Sequence, residues 1–494
     1  MNTSSGPRVP RAATGVLGLD DILGGGFPRE RLYLLQGDPG VGKTTLGMQF
    51  LLEGARLGEP CLYVTLSETK EELESVAEAH GWSLEKVQVF ELPMADGLKP
   101  EEENTLFHPS EVELAEITKL LLQTFERIRP ARVVFDSLSE IRLLAQSPLR
   151  YRRQVMALKQ FLAGRQCTVL FLDDHTSETG DLQLQSVAHG VVSLEQLSTL
   201  YGAERRRLRV IKMRGIRFRG GFHDFTLETG GMRVFPRLVA AEHRESFAPG
   251  RLFSNVVALD DLVGGGLDFG SSALFLGPAG TGKSTVAIQY AHAAASSGKN
   301  VAVFCFDESV STLLGRAASV GLDLKPLIAG GRIEVRQVDP AEMSPGEFVH
   351  IVREAVENRG VRLVVIDSLN GYLHAMPEEQ FLTLQLHELL TYLGQMGVLT
   401  LMVVAQHGLM GSTVLSPIDV SYLADSVMVF RHYEHGGQLC KAVNMLKKRT
   451  GAHEAHIRPL SIGPRGLALG EPLRGFRGIL TGLPLPTPPS QGDE

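Results

Sequence analysis

Gly37-Asp38-Pro39-Gly40-Val41-Gly42-Lys43-Thr44-Thr45 reads G-x-x-x-x-G-K-[ST], and Gly277-Pro278-Ala279-Gly280-Thr281-Gly282-Lys283-Ser284-Thr285 reads it a second time. This is the pattern of a phosphate-binding loop. Gly37, Gly40, Gly42 and their counterparts Gly277, Gly280, Gly282 let the backbone wrap closely, so that several N–H groups converge on phosphate oxygens at the start of a helix. Lys43 and Lys283 are placed to reach the β- and γ-phosphates, and Thr44 and Ser284 to hold Mg²⁺ through their hydroxyls, each followed by a threonine, Thr45 or Thr285. Two matches in register bring the odds of a chance glycine turn to on the order of 0.1% or less. ATP and Mg²⁺ are the implied cofactors.

Working outward, the lysines lie 240 positions apart, and so do their surroundings. The run Arg31–Leu35 predicts a buried strand entering the first loop, Leu46–Leu57 a helix leaving it, Cys61–Leu66 a second strand and Glu71–His80 a second helix. Ala273–Leu276 and Val301–Phe306 repeat the two strands. The segment Gly18-Leu-Asp-Asp-Ile-Leu-Gly-Gly-Gly26 has its partner in Ala258-Leu-Asp-Asp-Leu-Val-Gly-Gly-Gly266. An acidic stretch around 95–110 then breaks the constant offset. Strand-helix alternation in both halves, around two phosphate loops, predicts an α/β fold: two tandem P-loop NTPase domains, each a mostly parallel twisted sheet flanked by helices. The expected divisions are a lead-in at 1–12, a first domain at 13–240, a linker at 241–250, a second domain at 251–471 and a Pro/Gly-rich tail at 472–494.

The 494 residues carry 49 basic and 56 acidic side chains, a net charge of −7, with 43% hydrophobic residues. This is the balance of a globular chain, with no whole-chain signature of a nucleic-acid coat. The four cysteines, Cys61, Cys167, Cys305 and Cys440, form no C-x-x-C pair, which favours a reducing cytoplasm over a disulfide framework or a zinc site. No apolar run approaches 18 residues, so a membrane span is not expected.

Further residues carry chemistry. Asp136 and Asp367 end apolar strands, where a carboxylate orients the Mg²⁺ shell; capping a following helix is the alternative. Glu68 and Glu308 also end strands, where a carboxylate can orient or deprotonate an attacking water or hydroxyl. Asp307 precedes Glu308, whereas Ser67 precedes Glu68. His175 and His407 follow apolar strands and could sense a γ-phosphate. The run Arg205-Arg206-Arg207 with Lys212 and Arg214 admits three readings: a solvated strand edge, fingers toward a neighbour's phosphate, or a nucleic-acid contact. The stretch Arg142–Arg153 is read as a basic loop.

In order, the [T/S]-G-x-x-G-L-D-x-[IL]-L-G-G-G segment, the phosphate loop, the acidic strand end, [VI]-x-D-S-L and K-x-R-G resemble the KaiC branch of the RecA superfamily, in both halves from about 14 to 470. The resemblance implies RecA-like domains in a ring, a hexamer of two-domain subunits with ATP between neighbours, ATP hydrolysis, and serine/threonine autokinase activity in the second domain. It makes Glu68, Asp307 and Glu308 catalytic. It places Lys212, Arg214, Lys447, Arg449 and His453 on phosphate across the interface, with Phe218 standing where the first domain would carry the histidine. Ser421 falls on the acceptor serine, beside Tyr422 in place of a threonine, with Ser426 nearby. Self-association and a regulatory protein partner follow. On this reading the first loop mostly builds the ring and the second carries phosphotransfer. Two other classes stay open: a nucleic-acid-dependent RecA-type motor or recombinase relative, and a non-catalytic, ATP-ordered signalling scaffold.

Overall fold

A computed structural model describes residues 10–91, 109–145, 147–174, 181–198, 201–373, 379–406, 422–474, 476–477 and 485–486. The chain divides into two compact units, Met1–Arg237 and Leu238–Glu494.

The first unit is built on a nine-stranded sheet. Its order is Gly231–Phe235, His223–Glu228, Arg205–Met213, Gly190–Leu197, Leu32–Gly37, Thr168–Asp174, Arg132–Asp136, Cys61–Thr65, Gln88–Glu91. The six strands from Gly190–Leu197 to Gln88–Glu91 run parallel, and the remaining three join antiparallel. The loop strand Leu32–Gly37 is buried throughout because it is covered on both faces, as parallel strands are. Side chains alternate across it: Tyr33 and Leu35 enter one core with Leu46, Met48 and Phe50 of the helix Lys43–Arg56, while Leu32 and Leu34 enter the other with Phe125, Phe135 and Val155.

The second unit repeats this plan in the order Ile333–Gln337, Asn300–Cys305, Val361–Asp367, Leu399–Ala405, Ser272–Gly277, Ser426–His435, Gln438–Lys448, Arg458–Gly463, Gly466–Leu469. Again six strands are parallel and three antiparallel. Leu238 and Ala240, which the sequence places in the first domain, are buried in a core of this unit. The Ala240 N–H donates to Glu388 at 3.0 Å. Within 241–250, Phe247 packs beside Gly270 and Gly397, where any Cβ would collide with its ring.

The stretch Arg142–Arg153 is not a loop. Arg142 lies on the helix Leu138–Ala145, and Arg150, Arg152 and Arg153 lie on the helix Pro148–Leu162. The hydroxyl of Ser147 accepts from the Arg150 N–H, Pro148 occupies the first turn, and Tyr151, Val155 and Leu162 give the second helix an apolar face. Its arginines disguised that face. No helix among the described residues is long and apolar enough to cross a membrane.

Candidate nucleotide-binding sites

Each phosphate loop links the central strand of its sheet to a 14-residue helix, Lys43–Arg56 or Lys283–Ser296. Gly42 and Gly282 precede these helices with φ of 110° and 99°, in the left-handed region that favours glycine. Neither helix has a side-chain cap. Other helices of the same units do: Thr69 and Glu72 form a capping box on Lys70–Ala79, and Ser309 caps Val310–Ser319. The first-turn N–H groups of the loop helices are thus left to an anion.

In the first unit the Lys43 ammonium donates to the Gly37 carbonyl at 2.8 Å and the Asp38 carbonyl at 2.9 Å, and pairs with Asp174 Oδ1 at 2.8 Å. Thr44 Oγ1 donates to Asp136 Oδ2 at 2.7 Å, and Tyr63 Oη donates to the same oxygen at 2.5 Å. Burial pushes the Asp136 carboxyl up, opposed by these two bonds and by Lys43. Glu68 stands just past the strand Cys61–Thr65, fixed by its backbone: Thr65 Oγ1 donates to its carbonyl at 2.6 Å and accepts from its N–H at 3.0 Å. Its Oε2 is buried with no hydrogen-bond partner among the described residues. Burial first, then the charges of Asp136 and Glu72, raise its carboxyl above the ordinary range. A base with a raised pKa works closer to neutrality.

The second unit uses the same elements with different partners. The Lys283 ammonium donates to the Pro278 carbonyl at 2.7 Å, and burial pushes it down to about 8, partly opposed by Asp367. Ser284 hydrogen-bonds Asp367, whose carboxyl is pushed up to about 6, chiefly by burial. Val303 occupies the repeat position of Tyr63, so no phenol reaches the aspartate. Asp367 Oδ2 and Ser368 Oγ are buried without partners among the described residues. Glu308 is bound by Arg316, through Nη2 to Oε1 and through Nε to Oε2 at 3.4 Å; Arg316 Nη1 also donates to Thr285 Oγ1 at 3.3 Å. Asp307 is exposed. The Arg431 guanidinium donates to Gln406 Oε1, and His432 Nε2 meets the Ala279 carbonyl at 3.1 Å beside the loop.

The donor sets suit Mg²⁺. In each unit a hydroxyl (Thr44 or Ser284) and a carboxylate (Asp136 or Asp367) meet as hard oxygen donors, and the orphaned Asp367 Oδ2 is a buried acceptor awaiting a positive partner. Among the described residues no group of three His, Cys, Asp or Glu forms a protein-only metal cage. Mg²⁺ typically keeps waters and arrives with phosphate rather than filling such a cage.

The structure brings together the loop residues, Asp136 and Glu68 in one unit, and the loop residues, Asp367, Asp307 and Glu308 in the other. The K-x-R pairs lie apart from the loops, on their own chain: Lys212 donates to the Gln185 carbonyl and Arg214 to Ser186 O at 3.2 Å. Lys447 donates to Ala424 O at 2.8 Å, and Arg449 reaches Asp425 at 3.2 Å and Tyr422 O at 3.0 Å. His453 and Phe218 occupy corresponding places, since the next residues, Glu454 and Arg219, donate N–H to Leu262 O and Ile22 O. Arg206 pairs with Glu204 and Arg207 with Glu195, while Arg207 and Arg209 stack on Phe222; their strand is paired on both sides, so the edge-strand reading does not hold and these arginines are engaged within the sheet. Ser421, His175 and His407 lie outside the described residues. The two histidines do not correspond in any case. Gly37 pairs with Asp174 and Gly277 with Ala405, so the repeat sets Asp174 against Ala405 and His175 against Gln406.

Four residues in these contacts escaped the sequence reading: Asp174, Tyr63, Arg316 and Arg431. Only Asp174 gave a signal, a strand-end carboxylate next to the loop strand.

A family model described as "ATPase: KaiC" matches residues 12–239 and again 254–474. The chain is 26% identical over 493 residues to the circadian clock oscillator protein KaiC of Synechococcus elongatus, covering 98% of this chain and 93% of that one. It is 25% identical over 489 residues to the circadian clock protein KaiC3 of Synechocystis sp., covering 98% and 96%. With the KaiC of Prochlorococcus marinus it shares 26% over 486 residues, covering 97% of each.

Proposed function

We propose, for a chain that belongs to the KaiC family of ATPases and carries two tandem ATPase domains, that both units bind ATP with Mg²⁺ and that hydrolysis in a self-assembled ring sets which regulatory protein it engages. The observation that carries this reading is the meeting of a loop hydroxyl with a strand-end aspartate, Thr44 with Asp136 and Ser284 with Asp367, beside a buried loop lysine in each unit. Lys43 and Lys283 bind phosphate charge, and the uncapped helix ends add backbone donors. Glu68, with its buried unpartnered oxygen, orients and deprotonates the attacking water in the first unit. Mg²⁺, when bound, neutralises charge on the transferring phosphate. The chemistry is in-line displacement at the γ-phosphate, accelerated mainly by positioning.

In the second unit the nucleophile is the Ser421 hydroxyl of a neighbouring subunit, with Asp307 or Glu308 as base, making the chain a serine autokinase. Lys212, Arg214, Lys447, Arg449 and His453 turn to a neighbour's nucleotide in a hexameric ring, which we place in the cytoplasm. The domain limits we adopt are 13–240 and 251–471.

Light scattering with and without Mg-ATP, ATP turnover, and phosphosite mapping on one sample test these statements together. The expected result is an ATP-dependent shift to a ring, turnover lost in a Glu68→Gln/Glu308→Gln double variant, and label from γ-labelled ATP that disappears on Ser421→Ala. Lys43→Ala impairs assembly more than Lys283→Ala. Turnover in the double variant equal to wild type would instead support an ATP-ordered scaffold, a reading favoured in the second unit by the commitment of Glu308 to Arg316.

A further inference from the structure

An ammonium has three hydrogens to donate. Lys43 spends all three, on Gly37 O, Asp38 O and Asp174 Oδ1. Asp174 is itself held in place: Ser139 Oγ donates to its Oδ2 at 2.9 Å and accepts from its backbone N–H at 3.3 Å. The carboxylate comes from the end of the strand next to the loop strand, in register with Gly37. Any phosphate oxygen taken up by Lys43 would lie within roughly 6 Å of Asp174 Oδ1, two hydrogen-bond lengths end to end. A carboxylate and phosphate at that separation repel in a partly buried site, and a triphosphate, which brings one more phosphate and about one more negative charge than a diphosphate, is repelled more.

The second loop has none of this. The matching register position is Ala405. Lys283 donates to Pro278 O alone among the described residues, keeping two hydrogens for a ligand. At the next residue, Gln406 accepts from Arg431. The loops are alike in sequence, but among the described residues only the lysine of the first is paired with a carboxylate.

We propose that Asp174 is a specificity-determining residue that makes the first loop a nucleoside-diphosphate site, where a triphosphate binds only by displacing Asp174 from Lys43. The proposal rests on the reading of Gly37–Thr45 as a nucleotide site. It predicts slow turnover in the first unit, through retention of the diphosphate product.

The test uses the full chain carrying Lys283→Ala, which silences the second loop. Competition against a fluorescent adenine nucleotide, with Mg²⁺, compares ADP with a triphosphate analogue whose β–γ bridge resists hydrolysis. The expected result is ADP binding tighter by about tenfold, between the roughly threefold that one like charge at this separation supplies in water and the roughly hundredfold at an effective dielectric of 20. Asp174→Asn keeps the shape and the Ser139 contact; it removes the preference by tightening the analogue more than ADP, and an unchanged melting temperature reports that the variant is folded. In the converse Lys43→Ala chain the second loop shows no diphosphate preference, and Ala405→Asp installs one. Equal affinities in the Lys283→Ala chain, or a preference that survives Asp174→Asn, overturns the proposal while the nucleotide site stands. A Lys283→Ala chain that melts normally and binds neither nucleotide overturns the site and the proposal together.

Discussion

Arg316 provides the sharpest test of how the second site is regulated. Its guanidinium holds both oxygens of Glu308 and reaches Thr285 on the loop helix. A carboxylate so engaged has fewer lone pairs free to take a proton from a nucleophile. The side chains of Arg316 and Glu308 are 28% and 22% exposed, so the pair sits between surface and interior. Unit charges about 4 Å apart attract by about 4 kcal/mol at an effective dielectric of 20. Desolvation and the ordering of two long side chains leave a net of about 1 kcal/mol. Removing the guanidinium should therefore raise the fraction of free Glu308, and with it second-site turnover, about fivefold. The assay is steady-state ATP turnover of Arg316→Ala in a Glu68→Gln background, which silences first-site hydrolysis and keeps Lys43 for assembly, with Glu308→Gln as the control that abolishes the gain. Arg316→Lys, which cannot span both oxygens, should fall between. High salt should accelerate the parent and leave Arg316→Ala nearly unchanged. A fall in turnover of tenfold or more at unchanged melting temperature would refute the reasoning and make Arg316 the residue that aims Glu308.

Other outcomes follow from buried groups. His223 accepts the Arg237 N–H on Nδ1 at 2.8 Å and donates from Nε2 to Arg219 O at 3.0 Å; burial, with Arg219 and Arg237 against it and Asp21 for it, pushes its pKa down to about 4. The fold therefore binds fewer protons here than the unfolded chain between pH 6.5 and 4. The stability is complete above pH 6.5 and is lost as pH falls through 4, by about 3 kcal/mol in all; His223→Gln should flatten that part of a stability-versus-pH curve from denaturant melts. Arg132 is fully buried, bonded to Glu59, Ala13 O and Phe50 O, and Gly54 leaves its side chain room. Arg132→Ala should cost about 3–5 kcal/mol in thermal unfolding, by stranding two carbonyls and part of the Glu59 charge. Tyr63→Phe should destabilise the first unit by about 1–3 kcal/mol, because Asp136 Oδ2 loses a buried donor; an unchanged melting temperature would show that water replaces the phenol.

The paired loops, their strands and the Asp136 and Asp367 strand ends were legible because each is local: a short motif, an apolar run and a constant offset between halves. Observed strand ends differ from the expected ones by a residue or two, as with Leu32–Gly37 against 31–35. What decides the difference between the sites was not legible. Asp174 meets Lys43 only through the register of two strands far apart in sequence, and Arg316 meets Glu308 only because a helix turns back over its own strand end. Tyr63 and Val303 both read as buried strand residues; their contrast matters only once each is seen beside an aspartate. The arginines of 148–162 hid an amphipathic helix whose buried positions are few and spaced. Leu238 and Phe247 show how two apolar side chains tie a polar stretch to the unit that follows it.

The missing caps on the two loop helices reach beyond catalysis. With glycine at the N-cap, forgoing a side-chain cap costs a helix about a few tenths of a kcal/mol, and here it does so at the start of the central helix of each unit. A bound phosphate restores the missing acceptors, and a ligand at a hundred times its Kd adds about 2.7 kcal/mol to the folded state. Nucleotide is in this sense a structural part of the chain, supplied from solution.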